Sequence, residues 1–95
     1  MTKVPAEVHL ALGSALMRQN KLSEAEAEHV AAVKADKKLG AAHNNLAVIY
    51  MLTGRFEEAR HAVKQAEKTG FPVPKALKDD IKKREAAAKA AAPKQ

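Results

Sequence analysis

A chain of 95 residues without Cys has room for one small domain and excludes a disulfide framework, a thiol nucleophile and a Cys-based zinc site. One Tyr, two Phe and no Trp, against abundant Ala, Leu, Lys and Glu, favour helix over a β-sandwich or barrel. The net charge of +6 gathers beyond residue 73, where seven basic side chains stand against three acidic ones, so the body of the chain is close to neutral. No apolar run approaches the roughly 18–20 residues that cross a bilayer, and Met1-Thr2-Lys3-Val4-Pro5 lacks the apolar core of a signal peptide. A cytoplasmic location is the default expectation.

In chain order, the first helix is expected to start at Pro5, whose missing N–H costs nothing in a first turn. Val8, Leu12, Ala15, Leu16 and Gln19 recur at steps of three and four, the spacing of one helical face. Asn20, tolerant of the left-handed conformation, is expected to end that helix. Ser23-Glu24-Ala25-Glu26 fits a capping box, with the Ser side chain on a free amide and a Glu reaching back, and opens a second helix that runs to about Ala35. A third helix is expected over Gly40 to Thr53, with Gly54 as the left-handed residue after it, and a fourth over Phe56 to Lys68. Thr69-Gly70 and then Phe71-Pro72-Val73-Pro74 forbid continuation. Pro74 begins a fifth helix with Leu77 and Ile81 as its short apolar stripe. Its Ala-rich end is expected to be exposed and to fray before Pro93.

The second half of this list repeats the first. Residues 6–39 laid over residues 40–73 give seven identical pairs: His9/His43, Leu12/Leu46, Met17/Met51, Glu24/Glu58, Ala25/Ala59, Ala32/Ala66 and Lys34/Lys68. Lys21/Arg55, Leu22/Phe56 and Leu16/Tyr50 are conservative pairs between them. A fixed period of 34 residues marks a stack of helical hairpins, each of which buries its apolar face against its neighbours.

With this period and these residues the chain resembles the tetratricopeptide repeat (TPR) family. The first repeat supplies His9, Leu12-Gly13, Leu16, Ala25, His29 and Ala32 to the family pattern, and the second His43, Leu46-Ala47, Tyr50, Ala59, Val63 and Ala66. Gly13, Ala25, Ala47 and Ala59 stand where two helices must approach closely; a bulky side chain there would cost about 1–3 kcal/mol by overpacking. Departures are Lys37 and Phe71 in place of Pro, and His in place of Trp or Phe. The resemblance implies an all-α superhelix of two hairpins with a fifth capping helix, one domain over residues 5–90. Repeat one spans 6–39, repeat two 40–73 and the cap 74–90, followed by a flexible tail at 91–95.

The resemblance also implies that the first helix of each hairpin lines a concave groove. The positions concerned are Glu7, Leu10, Ala11, Ser14, Met17 and Arg18 in repeat one, and Ala41, Asn44, Asn45, Val48, Met51 and Leu52 in repeat two. Two Met at one phase adapt to different partners, and the Asn pair can bond a peptide backbone. The expected role is a non-catalytic protein–protein interaction module that takes a peptide or helix of a partner protein. The competing reading is a homo-oligomerising scaffold or homodimer whose repeat edges stack on another copy, since about three repeats are wanted for a stable array. One subclass of the family clamps a C-terminal carboxylate with Lys, Asn and Arg. Here those positions are Leu10, Ser14, Asn45, Lys75 and Asp79; only Asn45 and Lys75 match, Asp79 has the wrong sign, and the donors that a buried carboxylate needs are not supplied.

Other chemistries find little in the residues. His9, His29, His43 and His61 are 20, 14 and 18 residues apart, with no pair at ligand spacing on one helix, so packing roles and no metal are expected. Ser14 and Ser23 lack a nucleophile context, Glu57 and Glu58 sit where they favour a helix dipole, and the Gly residues form no phosphate loop. No enzyme activity and no cofactor are expected. The basic end (Lys75, Lys78, Lys82, Lys83, Arg84, Lys89) lacks stacking aromatics. Its Asp79, Asp80 and Glu85 are expected to pair with those Lys along the helix, which disfavours nucleic acid as a partner.

Overall fold

Residues 3–91, the part of the chain that the computed structural model describes, form five helices. These are α1 (Ala6–Arg18), α2 (Leu22–Ala35), α3 (Gly40–Leu52), α4 (Phe56–Lys68) and α5 (Lys75–Ala91). No strand occurs among the described residues. α1 packs on α2 and α3 on α4 as two hairpins; α2 then leans on α3, and α4 on α5. Lighter contacts join α1 to α3 and α3 to α5, so these three helices lie side by side in one layer.

The same local device closes each hairpin. Asn20 (φ 60°) and Gly54 (φ 78°) take the left-handed conformation one period apart. The next residue's amide then reaches back over the helix end: Lys21 N–H to the Leu16 carbonyl at 2.9 Å, and Arg55 N–H to the Tyr50 carbonyl at 2.7 Å. These bonds satisfy carbonyls that a helix end leaves free and turn the chain into the next helix. Gly70 (φ 88°) and the Phe71 amide repeat the arrangement after α4, with 3.3 Å to the Ala66 carbonyl.

Several boundaries differ from those the sequence suggested. Pro5 is the cap of α1 rather than its first residue, with ψ at 148° and its carbonyl taking the Val8 amide at 3.0 Å. Thr53 caps α3. The capping box at Ser23 does not form. The turn at Asn20 leaves Lys21 as the cap residue, and the Lys21 carbonyl already accepts from the Ala25 amide at 2.9 Å. Ser23 is thereby the second residue of α2, exposed and past the position from which it could bond a free amide. α5 continues to Ala91, so the expected tail at 91–95 lies outside the described residues except for that one position, as does the fraying expected at Pro93.

The core is concentrated in the second hairpin and the cap. Leu46, Ala47, Met51, Ala59, Ala62, Val63, Leu77 and Ile81 form one buried cluster, with Val30, Val33, Val48, Tyr50, Phe56 and Val73 packed against it. Leu77 and Ile81 are the buried residues of α5, as their stripe suggested. The first hairpin holds together on smaller side chains: Ala25 and Ala32 are fully buried, and Gly13 faces the ring of His29. A Cβ on Gly13 would lie 2.7 Å from that ring, so only a glycine lets α1 and α2 come this close. Gly40 is a second such position, where a Cβ would collide with Thr69 and Phe71.

His29 is fully buried and neither ring nitrogen has a hydrogen-bond partner. Burial pushes its pKa below the ordinary histidine value, against a smaller upward pull from the neighbouring Glu28 carboxylate. The ring is therefore held neutral as a packing element. His9 Nδ1 donates to the Glu28 carboxylate (2.8 Å) between α1 and α2, and His43 Nε2 donates to the Lys37 carbonyl (3.0 Å) ahead of α3. On α5 the ion pairing runs mainly between helices. Glu85 takes Arg60 of α4, and Lys78 takes Glu67 of α4, while Lys89–Glu85 at 4.0 Å is the pair within the helix. Asp79 and Asp80, expected to pair with the Lys of the same helix, enter no ion pair among the described residues.

Two outcomes test this packing. Gly13→Val is expected to lower the unfolding free energy by about 2–3 kcal/mol in urea titrations, against less than about 1 kcal/mol for Ala11→Val on the exposed side of the same helix. Because the pKa of His29 is lower folded than unfolded, the unfolded chain binds the extra proton. Stability is expected to fall as pH drops through about 6.5, and His29→Leu should flatten that dependence in thermal melts from pH 7.5 to 5.

Candidate interaction groove

The layer of α1, α3 and α5 is where the residues expected to meet a partner are gathered. α3 carries no Asp, Glu, Lys or Arg, so the middle of the layer is uncharged. Its neighbours on both sides let it bury more of its circumference than α1 can: Gly40, Ala42, Leu46, Ala47, Ile49 and Met51 are buried on α3, against Ala6 and Gly13 on α1.

The expected groove residues divide accordingly. Leu10, Ser14 and Met17 of α1 are half-buried and Arg18 is exposed. Asn45 of α3 donates from Nδ2 to Ser14 Oγ at 3.3 Å, a bond that ties α3 to α1. Asn44 is half-buried, and its Oδ1 is shielded from solvent without a partner. Val48 is half-buried and packs against the core. Leu52 is 44% exposed, a large apolar side chain at the surface. Met51 is different. It is 6% exposed and belongs to the cluster with Leu77 and Ile81, so α5 covers the side chain that the repeat phase had assigned to the groove. Its counterpart Met17 stays half-exposed because α1 has a neighbour in this layer on one side only.

What this surface offers chemically is apolar contact from Leu10, Met17, Val48 and Leu52, beside amide and hydroxyl groups from Ser14, Asn44 and Asn45. An unpaired buried carbonyl such as Asn44 Oδ1 costs about 1–3 kcal/mol until a donor reaches it. Among the described residues no group of three His, Asp or Glu gathers at a spacing that would hold a metal ion.

Three surface features lie apart from the expected groove. A depression of about 550 Å³ is lined by Tyr50, Glu57, Glu58, Arg60, His61 and Lys64. Arg55 stacks over the Tyr50 ring at 4.5 Å and bonds Glu26 of α2. That bond is the main influence raising the Arg55 pKa, while burial first and the Glu26 charge second push the Tyr50 hydroxyl up. A smaller cleft of about 220 Å³ between α4 and α5 has an apolar floor of Val63 and Ile81 under a largely basic rim. The third feature is Val8 and Leu12 of α1, half-exposed aliphatics on the helical face that the sequence spacing marked, with Val4 exposed just before the helix.

The family pattern of the tetratricopeptide repeat matches residues 16–78, from the end of α1 into α5. Among curated proteins and among solved structures no match to the chain is found. No helix among the described residues is long and apolar enough to cross a membrane. With two antiparallel helical hairpins, left-handed turns one period apart and a family match over most of its length, the chain belongs to the tetratricopeptide repeat family, whose members typically act as non-catalytic protein–protein interaction modules.

Proposed function

We propose that this protein binds a peptide or helix of a partner protein across the α1–α3 face, without catalysis and without a cofactor. The observation that carries the reading is the surface of α3: no charged side chain and a large exposed Leu52. Apolar partner side chains cover Leu52 and Met17. Asn45 has a different part. Its bond to Ser14 holds α1 and α3 in register, so the groove is formed before the partner arrives. The uncharged floor favours apolar and amide-rich segments over acidic or basic ones, because a charge laid there loses water without gaining a counter-ion.

Peptides selected from a random display library on the intact chain provide the test. Leu52→Lys is expected to weaken their binding at least tenfold while changing unfolding free energy by no more than about 0.5 kcal/mol. Met51→Lys, by contrast, is expected to destabilise the fold by about 3 kcal/mol or more in urea titrations, since it forces a charge into the core beneath α5. Selected peptides that bind Leu52→Lys as well as the parent chain would overturn the groove reading.

A further inference from the structure

α1 and α3 occupy the same phase of the repeat but differ in what lies along one side. Val8, Leu12 and Ala15 of α1 correspond to Ala42, Leu46 and Ile49 of α3. The α3 residues are 0%, 4% and 0% exposed, because α2 lies across them with Val30 and Val33 packed against the cluster that holds Leu46. α1 has no helix on that side among the described residues. Val8 and Leu12 are each 50% exposed, and Val4, in the extended segment ahead of the helix, is 48% exposed. Val8 and Leu12 form one exposed apolar stripe on the helix, with Val4 exposed just before it, a face on which a helix can dock.

The charges repeat the comparison. Arg55, the cap residue of α4, forms an ion pair with Glu26 of α2. Its counterpart one period earlier is Lys21, the cap residue of α2. Lys21 is exposed and has no acidic partner among the described residues. The open edge of the first hairpin therefore holds both parts of the surface on which α2 docks one repeat later, an apolar stripe and a cation beside it.

We propose that this edge is a docking site for a helix of a partner protein whose face matches that of α2. The helix carries an acidic residue followed four and seven positions later by aliphatic side chains, the spacing of Glu26, Val30 and Val33. The acid meets Lys21 and the aliphatics cover Val8 and Leu12. A second copy of this chain does not supply such a face. Its own α2 is covered there by α3. On α4 the corresponding positions are Arg60, Lys64 and Glu67, which would set cations against Lys21 and against the apolar stripe. Pairing α1 with α1 of a copy buries three half-exposed side chains per partner, well short of the roughly 800 Å² per partner of a stable interface, and leaves Lys21 without an acid. The small area also sets the strength, with a Kd on the order of 0.1–1 mM for an isolated helix. This edge and the groove are separate surfaces, so either proposal stands if the other fails.

The probe is a synthetic peptide with the sequence of residues 21–36, acetylated and amidated, titrated into the full chain labelled with ¹⁵N. Saturable amide shifts are expected at Val4, Val8, Leu12 and Lys21. Leu12→Lys, on an exposed position that leaves the melting temperature intact, should abolish them. Glu26→Ala in the peptide should weaken binding about two- to fivefold. Pairing a Lys21→Glu chain with a Glu26→Lys peptide should restore it. Absence of shifts along this edge at millimolar peptide overturns the proposal, as do shifts confined to Ala42–Ile49, which would mean that the peptide has displaced α2. Concentration-dependent mass in light scattering that vanishes in Leu12→Lys would name a second copy as the occupant and overturn it too.

Discussion

The contact between Gly13 and His29 sets the geometry on which the first hairpin depends. Two helices whose facing positions are a glycine and a planar ring can lie closer than two helices that carry aliphatic side chains. The same need is met in the second hairpin by Ala47 and Ala59, both fully buried. Close approach in each hairpin leaves its outer flanks free to pack on the next, and this succession joins the first hairpin to the core that the second hairpin shares with α5. The ring of His29 serves here as a neutral aromatic plate. Its two unpartnered nitrogens are the cost of that use.

Much of this was legible in the sequence because it depends on local chemistry. Asn20 and Gly54 marked the turns by their tolerance of the left-handed region, and the structure has both at positive φ. Prolines before α5 and the phase of Gly13, Ala25, Ala47 and Ala59 likewise pointed to particular backbone arrangements. What the sequence did not disclose depends on which neighbour arrives from a distance. Met17 and Met51 are identical in phase, yet one is half-exposed and the other is sealed beneath α5. Val8 and Leu12 belong to the spacing that marked one face of α1, but periodicity cannot say whether a helix lies opposite that face. The Ser23 cap failed for a local reason of another kind: the turn bonds fixed the helix start two residues earlier than the capping pattern required.

Polar contacts follow the same division. Ion pairs expected along α5 run instead to α4, where Glu67 and Arg60 stand opposite Lys78 and Glu85. These pairs lie at the surface and contribute little energy singly, but they fix the rotation of α5 about its axis and with it the burial of Leu77 and Ile81. The Asn45–Ser14 bond does comparable positional work on the opposite side of α3. α3 is thus the fixed member of the layer, with a hydrogen bond on one flank and α5 on the other.

Because contacts run between sequence neighbours, the molecule behaves as a short one-dimensional array whose two ends are unequal. The second hairpin and α5 share the buried Leu, Ile, Met and Val side chains, whereas the first hairpin is closed mainly by Ala and Gly against one ring. The two ends are held by different means: α5 by two large aliphatics, Leu77 and Ile81, set against the second hairpin, and α1 by Gly13 against the ring of His29. A substitution at the α5 end therefore removes buried apolar area, whereas one at the α1 end changes the distance between two helices.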